Sequence, residues 1–300
     1  MKISSIICTR NRAQCLGKAI ESLANQDLAV TDYEIVVVDN GSTDATNQVV
    51  NERIGQIPNL RYVREENPGL SNARNRGISE AVAPIVAFLD DDAIADRCWL
   101  TAILHAFDAN PQTVGVGGTV EPWWEIPRPR WFPESFIGCH YRNYGPTGRW
   151  YSYPAEQPIG CNMAFLKQAV VDAGGFNPVL QNYNDETELI SRLVEAGGKL
   201  YYEPRAAVRH LVSKERLALG WQIRRHYQEG KSLAVAAALK NRVPRAQRLP
   251  ELGTNLFSIT KRTARLFVSL EPVRDRVQRL AHLSALVGKT VHLTKCLGEK

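Results

Sequence analysis

The 300-residue chain has no pair of cysteines at the C-x-x-C spacing of a zinc or dithiol redox site. Its six cysteines, at 8, 15, 98, 139, 161 and 296, are scattered, which suits reduced thiols in a cytoplasmic setting better than a disulfide framework. Apolar runs of the ~18 residues needed to span a membrane are also missing. The opening run, residues 3–8, is too short for a secretory leader, and Arg10 and Arg12 follow it directly. There is no G-x-x-x-x-G-K-[ST] phosphate loop and no G-x-S-x-G nucleophile elbow. Gly115-Val116-Gly117-Gly118 lacks the full G-x-G-x-x-G pattern and lies beyond the first β-α unit, so a dinucleotide-binding fold fits poorly. These gaps remove several large enzyme classes.

What is present starts with charge. The net charge of +6 hides two unlike parts. Residues 213–300 hold 18 Lys/Arg against 6 Asp/Glu, leaving 19 against 25 in the first 212. An acidic front suits a cation-assisted site, and a basic tail suits an anionic partner. Hydrophobic residues, at 44%, are enough for a substantial core.

The first ninety residues alternate strand-like and helix-like segments: strand 3–8, helix 14–25, strand 33–38, helix 45–54, strand 60–64, helix 70–83 and strand 85–89. The Ile35-Val36-Val37-Val38 run lacks alternation, as a strand covered on both faces does. This order predicts an α/β fold, an open, mostly parallel sheet with helices on both faces. Ligands of such sheets bind at the carboxyl ends of the strands. Residues 121–158 show no period, yet ten of the chain's 24 aromatic residues fall between Trp123 and Tyr153. That richness argues against disorder. Further on, the pattern predicts a strand over 160–166, a helix over 167–173, a helix beginning near Asp185, short strands over 199–202 and 207–210, and then a basic helical region.

Polar residues gather where the predicted strands end. Asp90-Asp91-Asp92 follows an apolar strand. Three adjacent carboxylates repel one another, and a hard divalent cation such as Mg2+ or Mn2+ relieves that repulsion. A solvated acidic turn gives the same string. Asp39 follows another buried strand and offers an acceptor to a base N–H or a ribose hydroxyl, while Asp44 suits a helix cap. Arg74 stands in a helix that begins near Leu70. Asn184-Asp185-Glu186-Thr187-Glu188 opens a later helix, where acids either favour the helix dipole or supply a general base. His210 ends a strand and becomes a metal ligand if the sheet brings it to the aspartates.

These pieces, in this order, resemble glycosyltransferase family two with the GT-A fold. The resemblance covers about residues 3–212. It runs through Ser5-Ile6-Ile7-Cys8-Thr9-Arg10-Asn11-Arg12, Val37-Val38-Asp39-Asn40-Gly41-Ser42-Thr43-Asp44, Asn67-Pro68-Gly69, Ala73-Arg74-Asn75 and Phe88-Leu89-Asp90-Asp91-Asp92. It ends with Gly160-Cys161-Asn162-Met163-Ala164-Phe165, Gly174-Gly175-Phe176, Asp185-Glu186-Thr187-Glu188-Leu189 and Val208-Arg209-His210. The resemblance implies a transfer of sugar from a nucleotide-sugar donor to an acceptor hydroxyl, with inversion. It implies that Thr9, Arg10, Arg12, Asp39, Arg74, Asp90 and Asp91 bind the donor, with Asp39 on the base and Arg74 on the diphosphate or sugar. Asp92 and His210 would hold Mn2+ or Mg2+. The family's usual Glu-Asp is inverted here to Asp185-Glu186, so Glu186 takes the place of the base, with Asp185 second. Trp124, Trp131 and Asn162 are assigned to a carbohydrate or lipid-linked acceptor, although the tryptophans equally suit a small satellite core.

The expected division is a catalytic domain over 1–212, its donor half 1–120 and acceptor half 121–212, followed by a helical region over 213–300. In that region Leu256, Ile259, Thr263, Leu266, Phe267 and Leu270 recur at helical spacing, as do Val277, Leu280, Leu283, Val287 and Val291. Lys261, Arg262, Arg265, Arg276 and Arg279 lie among them. A basic amphipathic helix suits peripheral attachment to the anionic inner face of a membrane, or a docking role within the protein. No recognised nucleic-acid module accompanies the charge, so no nucleic-acid partner is expected. Two rival functions remain, a nucleotidyltransferase that makes nucleotide-sugars and a non-catalytic sugar-binding protein. The first normally carries glycine after strand one, where Thr9-Arg10-Asn11-Arg12-Ala13 has none.

Overall fold

The computed structural model describes residues 1–138, 140–180, 183–241, 258 and 273–298. It begins with β1 (Ile3–Thr9), α1 (Ala13–Ala24), β2 (Tyr33–Asp39), α2 (Thr46–Ile54), β3 (Leu60–Arg64), α3 (Leu70–Glu80) and β4 (Ile85–Leu89). Next come β5 (Ala93–Ala95), α4 (Trp99–Ala109), β6 (Thr113–Trp124), β7 (Arg149–Trp150), β8 (Asn162–Leu166) and α5 (Lys167–Asp172). The chain continues through α6 (Asp185–Glu195), β9 (Lys199–Val212), α7 (Leu219–Asn241) and α8 (Val273–Gly298). The strands form one open mixed sheet in the order β3-β2-β1-β4-β8-β6-β9-β5, with β7 added on β9. Pairing is parallel from β3 through β4 and antiparallel at β4–β8, β8–β6, β5–β9 and β7–β9.

Alternation along the strands builds two cores. Ile3, Ile7, Ile35, Val37, Ala87 and Leu89 face one side and meet Leu16, Ile20 and Leu23 of α1 and Trp99 and Ile103 of α4. Ile6, Val36, Val38, Val86 and Phe88 face the other and meet Ala73 and Ile78 of α3 and Leu189 and Leu193 of α6. Helix α3 lies close on the sheet, because a Cβ on Gly77 would stand 2.5 Å from the Ile6 Cγ2.

Two stretches differ from expectation. The two short strands predicted over 199–202 and 207–210 are one 14-residue strand, β9, through Pro204. Its first part pairs with β7 and its last with β5, so different neighbours sustain it on either side of the proline. The aperiodic stretch 121–158 begins inside β6 and contains a short 3-10 turn, Glu134–Ile137.

The chain packs as two compact units, one of residues 1–123 and 139–211, the other of residues 124–138 and 212–300 as far as described. Residues 124–138, expected in the acceptor half, therefore group with the C-terminal region. The second unit has its own cluster of Phe132, Phe136, Val212, Leu217, Val277 and Ala281. Its helices α7 and α8 touch backbone to backbone, since a Cβ on Gly230 would overlap the Ala285 carbonyl and one on Gly288 the Tyr227 carbonyl. Along α8, Val277 and Ala281 are buried, while Leu280, Leu283, Val287 and Val291 are half-buried. The apolar and basic positions expected between Leu256 and Leu270 lie outside the described residues. Among the described residues no helix is long and apolar enough to cross a membrane.

Two glycines test this packing. A Cβ on Gly118 of β6 would overlap the Ala206 carbonyl of β9, whereas one on Gly55, at a helical φ of −68°, meets nothing within 4 Å. Gly118→Ala should cost about 3 kcal/mol in chemical denaturation. Gly55→Ala should be neutral or stabilise by up to about 1 kcal/mol.

Candidate active site

The carboxyl ends of β1, β2 and β4 form one rim, and polar side chains lace their loops together. Asn11, at a left-handed φ of 54°, accepts the Thr43 N–H at 2.8 Å, and its own N–H donates to the Ser42 Oγ at 2.8 Å. The Asp44 carboxylate accepts the Ala13 N–H at 3.2 Å and the Thr46 N–H at 3.0 Å, so one residue serves the first turns of α1 and α2. Asn40 donates to the Asn67 carbonyl at 2.7 Å and accepts the Gly69 N–H at 2.8 Å, fixing the entry to α3.

The first charged cluster follows β4. Asp90, Asp92 and His210 each offer a ligand atom, all within 4.8 Å of one another. The His210 Nε2 is 3.0 Å from the Asp92 Oδ1 and 3.9 Å from the Asp90 Oδ2. The register of β9 on β5, with His210 opposite Ala93, sets this meeting. Two carboxylates and an imidazole suit a hard or borderline divalent ion. Burial alone would push the His210 imidazole down, but Cys161 and Asp92 outweigh it and hold it well above the usual histidine range. Arg12 approaches Asp92 at 3.7 Å. Asp91 points elsewhere, accepting the Thr9 hydroxyl at 2.7 Å. Burial, with the Asp92 charge beside it, pushes the Asp91 carboxyl up to about 7. Asp90, expected at the donor sugar, thus joins Asp92 at the cation group. His210 is also 3.0 Å, Nδ1 to Nδ1, from a histidine that no sequence pattern marks, His140.

The second cluster stands at the start of α6. Asn184 precedes it at a left-handed φ of 61°. Such backbone in a non-glycine residue is uncommon and clusters at functional sites. The Arg74 guanidinium reaches across from α3 to the Asp185 Oδ2 at 2.6 Å and lies 4.0 Å from the Glu186 Oε2. Arg74 and Asp185 are almost wholly buried, while the Glu186 side chain is 21% exposed. Burial and the Asp185 charge push the Glu186 carboxyl up to about 8, with Arg74 pulling the other way. Gly160 leaves room for this guanidinium, since a Cβ there would sit 2.6 Å from the Arg74 Nη2. Arg74, expected at the diphosphate or the donor sugar, is thus paired here with these acids. The half-buried Cys8 thiol feels charges of both clusters, Arg74 and Asp185 of one and Asp90 and Asp91 of the other.

Other expected residues are placed as follows. Asp39 is fully buried, accepting the Ser42 N–H at 2.8 Å and the Tyr62 hydroxyl at 2.7 Å, with Arg64 3.5 Å away. Tyr62 and Arg64 escaped the sequence reading, although both lie on β3, the strand next to Asp39. Arg10 is exposed. Asn162, expected at the acceptor, is almost wholly buried and has all its polar atoms engaged within the protein. Its Oδ1 accepts the Trp99 indole N–H at 2.9 Å, and its Nδ2 donates to the Thr119 and Ala206 carbonyls at 3.1 and 2.8 Å. Trp124 and Trp131, both half-buried, pack edge-on against Phe132 at the margin of the second unit's cluster.

With this geometry in hand, the comparisons with known proteins decide the family. The sequence model of glycosyl transferase family 2 matches residues 4–171, more than half of the chain. The chain belongs to that family. It is a glycosyltransferase with the GT-A fold and helices after it. It is 28% identical, over 78% of its own length and 77% of the relative's, to a glucosyl-dolichyl phosphate glucuronosyltransferase of Haloferax volcanii. It is 39% identical to validoxylamine A glucosyltransferase of Streptomyces hygroscopicus, over 35% of this chain and 25% of that one. Its fold is similar to that of a mannosyltransferase from Pyrobaculum calidifontis in complex with GDP-Man and Mn2+. The TM-score is 0.67 at 20% identity, covering 97% of this chain and 87% of that one. S. aureus TarS in complex with UDP matches with a TM-score of 0.59 at 17% identity, covering 100% and 92%.

The structural role of Asn162 is testable. Replacing it with alanine strands the Trp99 N–H and weakens two carbonyls, so Asn162→Ala should cost about 3 kcal/mol of stability. The KM for acceptor in the folded fraction should not change. A raised KM at unaltered stability would return Asn162 to the acceptor site.

Proposed function

We propose that this glycosyltransferase inverts the anomeric centre, taking a sugar from a nucleoside-diphosphate donor to a carbohydrate or lipid-linked acceptor in polysaccharide or glycoconjugate synthesis. The observation that carries the reading is the acid pair beside Arg74. The buried, ion-paired Asp185 is committed, while the partly exposed Glu186 remains to accept a proton. Glu186 takes the acceptor hydroxyl proton as that oxygen bonds to the anomeric carbon. The bond from that carbon to the leaving diphosphate oxygen breaks with its electron pair. One displacement inverts the centre. A lipid-linked substrate class is supported by the name of the Haloferax volcanii relative.

Asp90, Asp92 and His210 are the residues that would hold a divalent cation, Mn2+ or Mg2+. Bound there, such an ion supplies counter-charge to the departing diphosphate. Thr9 holds Asp91 and leaves Asp90 and Asp92 to that group, and Arg12 adds positive charge at its edge. Asp39, with Tyr62 beside it, is the proposed contact for the nucleotide base, the Tyr62 hydroxyl turning away as the base arrives. The basic C-terminal region is proposed to attach to an anionic membrane face. Full-length protein should sediment with phosphatidylglycerol vesicles at low salt, and failure to do so removes that attachment.

The first assay is nucleoside-diphosphate release from a panel of nucleotide-sugars with Mn2+ or Mg2+. Turnover should vanish in Asp92→Ala and fall at least about 100-fold in Glu186→Gln, the usual scale for a general base. Nucleotide-sugar binding without turnover in wild type, for every acceptor class tried, would overturn the reading.

A pH profile tests the base directly. A carboxyl pushed up to about 8 is protonated, and unable to accept a proton, below that pH. The kcat/KM should therefore rise with pH and level off above about 8. A profile already flat from pH 6 would rule out Glu186.

A further inference from the structure

His140 has no place in the reaction described above, yet it is a buried polar residue, 3% exposed. Its ring centroid stands 4.4 Å from that of His210, tilted by 51°, and the facing Nδ1 atoms are 3.0 Å apart. Two ring nitrogens at that distance share one proton, so one donates and the other accepts. The opposite nitrogen of His210 settles which. For the His210 Nε2 to face a cation with its lone pair, the His210 proton must sit on Nδ1. The His140 Nδ1 is then the acceptor, and the proton of His140 lies on its own Nε2.

We infer that His140 is a positioning residue for the cation group, accepting the Nδ1–H of His210 and so turning the His210 Nε2 toward Asp90 and Asp92. This inference rests on the cation site proposed above. Metal-bound histidines are usually oriented in this way by a partner on the second nitrogen, most often a carboxylate or a carbonyl. Here an imidazole does it.

The backbone holds both rings in place. The Arg142 and Val120 N–H groups each donate to the other residue's carbonyl at 2.8 Å, which anchors the segment just after His140 to β6. On the other side, His210 is held in register with Ala93, and the Leu211 N–H donates to the Asp92 carbonyl at 2.9 Å. The strand that carries His210 is thus tied to the loop that carries Asp92. What the backbone leaves undecided is rotation about the His210 side-chain bonds, and the Nδ1 contact restricts that rotation.

The test is Mn2+ binding to the full-length protein, with free ion followed by electron paramagnetic resonance. The nitrogen coupling of bound Mn2+ is read by electron spin echo envelope modulation. Wild type should bind saturably with an imidazole nitrogen coupling, and Asp92→Ala should not bind. His140→Ala and the volume-filling His140→Phe should bind at least about 10-fold more weakly, with a diminished coupling. His140→Asn places an acceptor oxygen near the lost Nδ1 and should recover most of both. Thermal unfolding identifies which variants are folded. If folded His140→Phe matches wild type in affinity and coupling, the inference is overturned while the cation site stands. If His140→Asn binds no better than His140→Phe, packing rather than the hydrogen bond is responsible, and the inference is again overturned. Wild type that does not bind Mn2+ removes the site and the inference together.

Discussion

Like charges crowd the rim of this sheet. Asp90, Asp91 and Asp92 follow one strand, Asp185 and Glu186 open a helix, and both groups are near enough to act on the Cys8 thiol between them. Carboxylates so placed must find counter-charge, share protons or destabilise the fold. The Arg74–Asp185 pair meets much of that demand. Removing one partner of a buried ion pair typically costs about 3–5 kcal/mol, because the other charge is left stranded. An exposed pair such as Arg76–Glu80 is worth only about 0.3–0.5 kcal/mol. Arg74 therefore dominates the electrostatics on its side of Cys8, and His210 takes the matching part beside Asp92.

Placing those charges within a few tenths of an ångström falls to neutral amides. Asn11 joins the first loop to the second, Asn40 joins the second to the start of α3, and Asn75 joins α3 to the loop before α6. Asn40 and Asn75 each donate and accept at once, satisfying backbone groups that a loop would otherwise leave to water. Asn75 exchanges both bonds with the backbone of Phe176, and a Cβ on Gly175 would press within 2.8 Å of its Oδ1. The Phe176 ring then packs under the Arg74 guanidinium, 5.2 Å from its centroid. Ser71, one helical turn before Arg74, ties the same helix to the Leu180 carbonyl at 2.6 Å. The amide network thus runs through to the ion pair.

Much of this was legible because hydrophobic period reports burial. The strands and helices of residues 3–89 lie within a few residues of where their apolar patterns place them, since each buries one face against a sheet whose own residues are apolar. Legibility fell where long-range pairing decides the outcome. β6 is rich in glycine and exists because β8 and β9 flank it, and β9 bridges its internal proline by changing neighbours. The α4 pattern was readable, with Trp99, Leu100, Ile103, Ala106 and Phe107 at helical spacing, yet no element was assigned to it. Among site residues, the aspartates and His210 declared themselves by chemical type at strand ends. Asn162 was ambiguous, because an amide near a site reads the same whether it binds a ligand or holds three elements together. His140 was invisible, since its role depends on a contact 70 residues along the chain. No local signal encodes such a contact.

The inverted order of the late acids also has a physical reading. The first residue of α6 points back toward α3, where Arg74 waits in a site with almost no water, and a short side chain there meets the guanidinium squarely. Aspartate fits that place. The second residue is the more exposed of the two, and the longer glutamate carries its carboxyl farther from the helix. Burial, and then the Asp185 charge, make ionisation of Glu186 unfavourable, while the Arg74 charge 4.0 Å away keeps it attainable. A carboxyl poised between those two influences is a stronger base than an ordinary surface glutamate. On the proposed mechanism the swap divides the labour, with the buried acid neutralised by its arginine and the outer acid raised by burial and its neighbour into the range where proton transfer is useful.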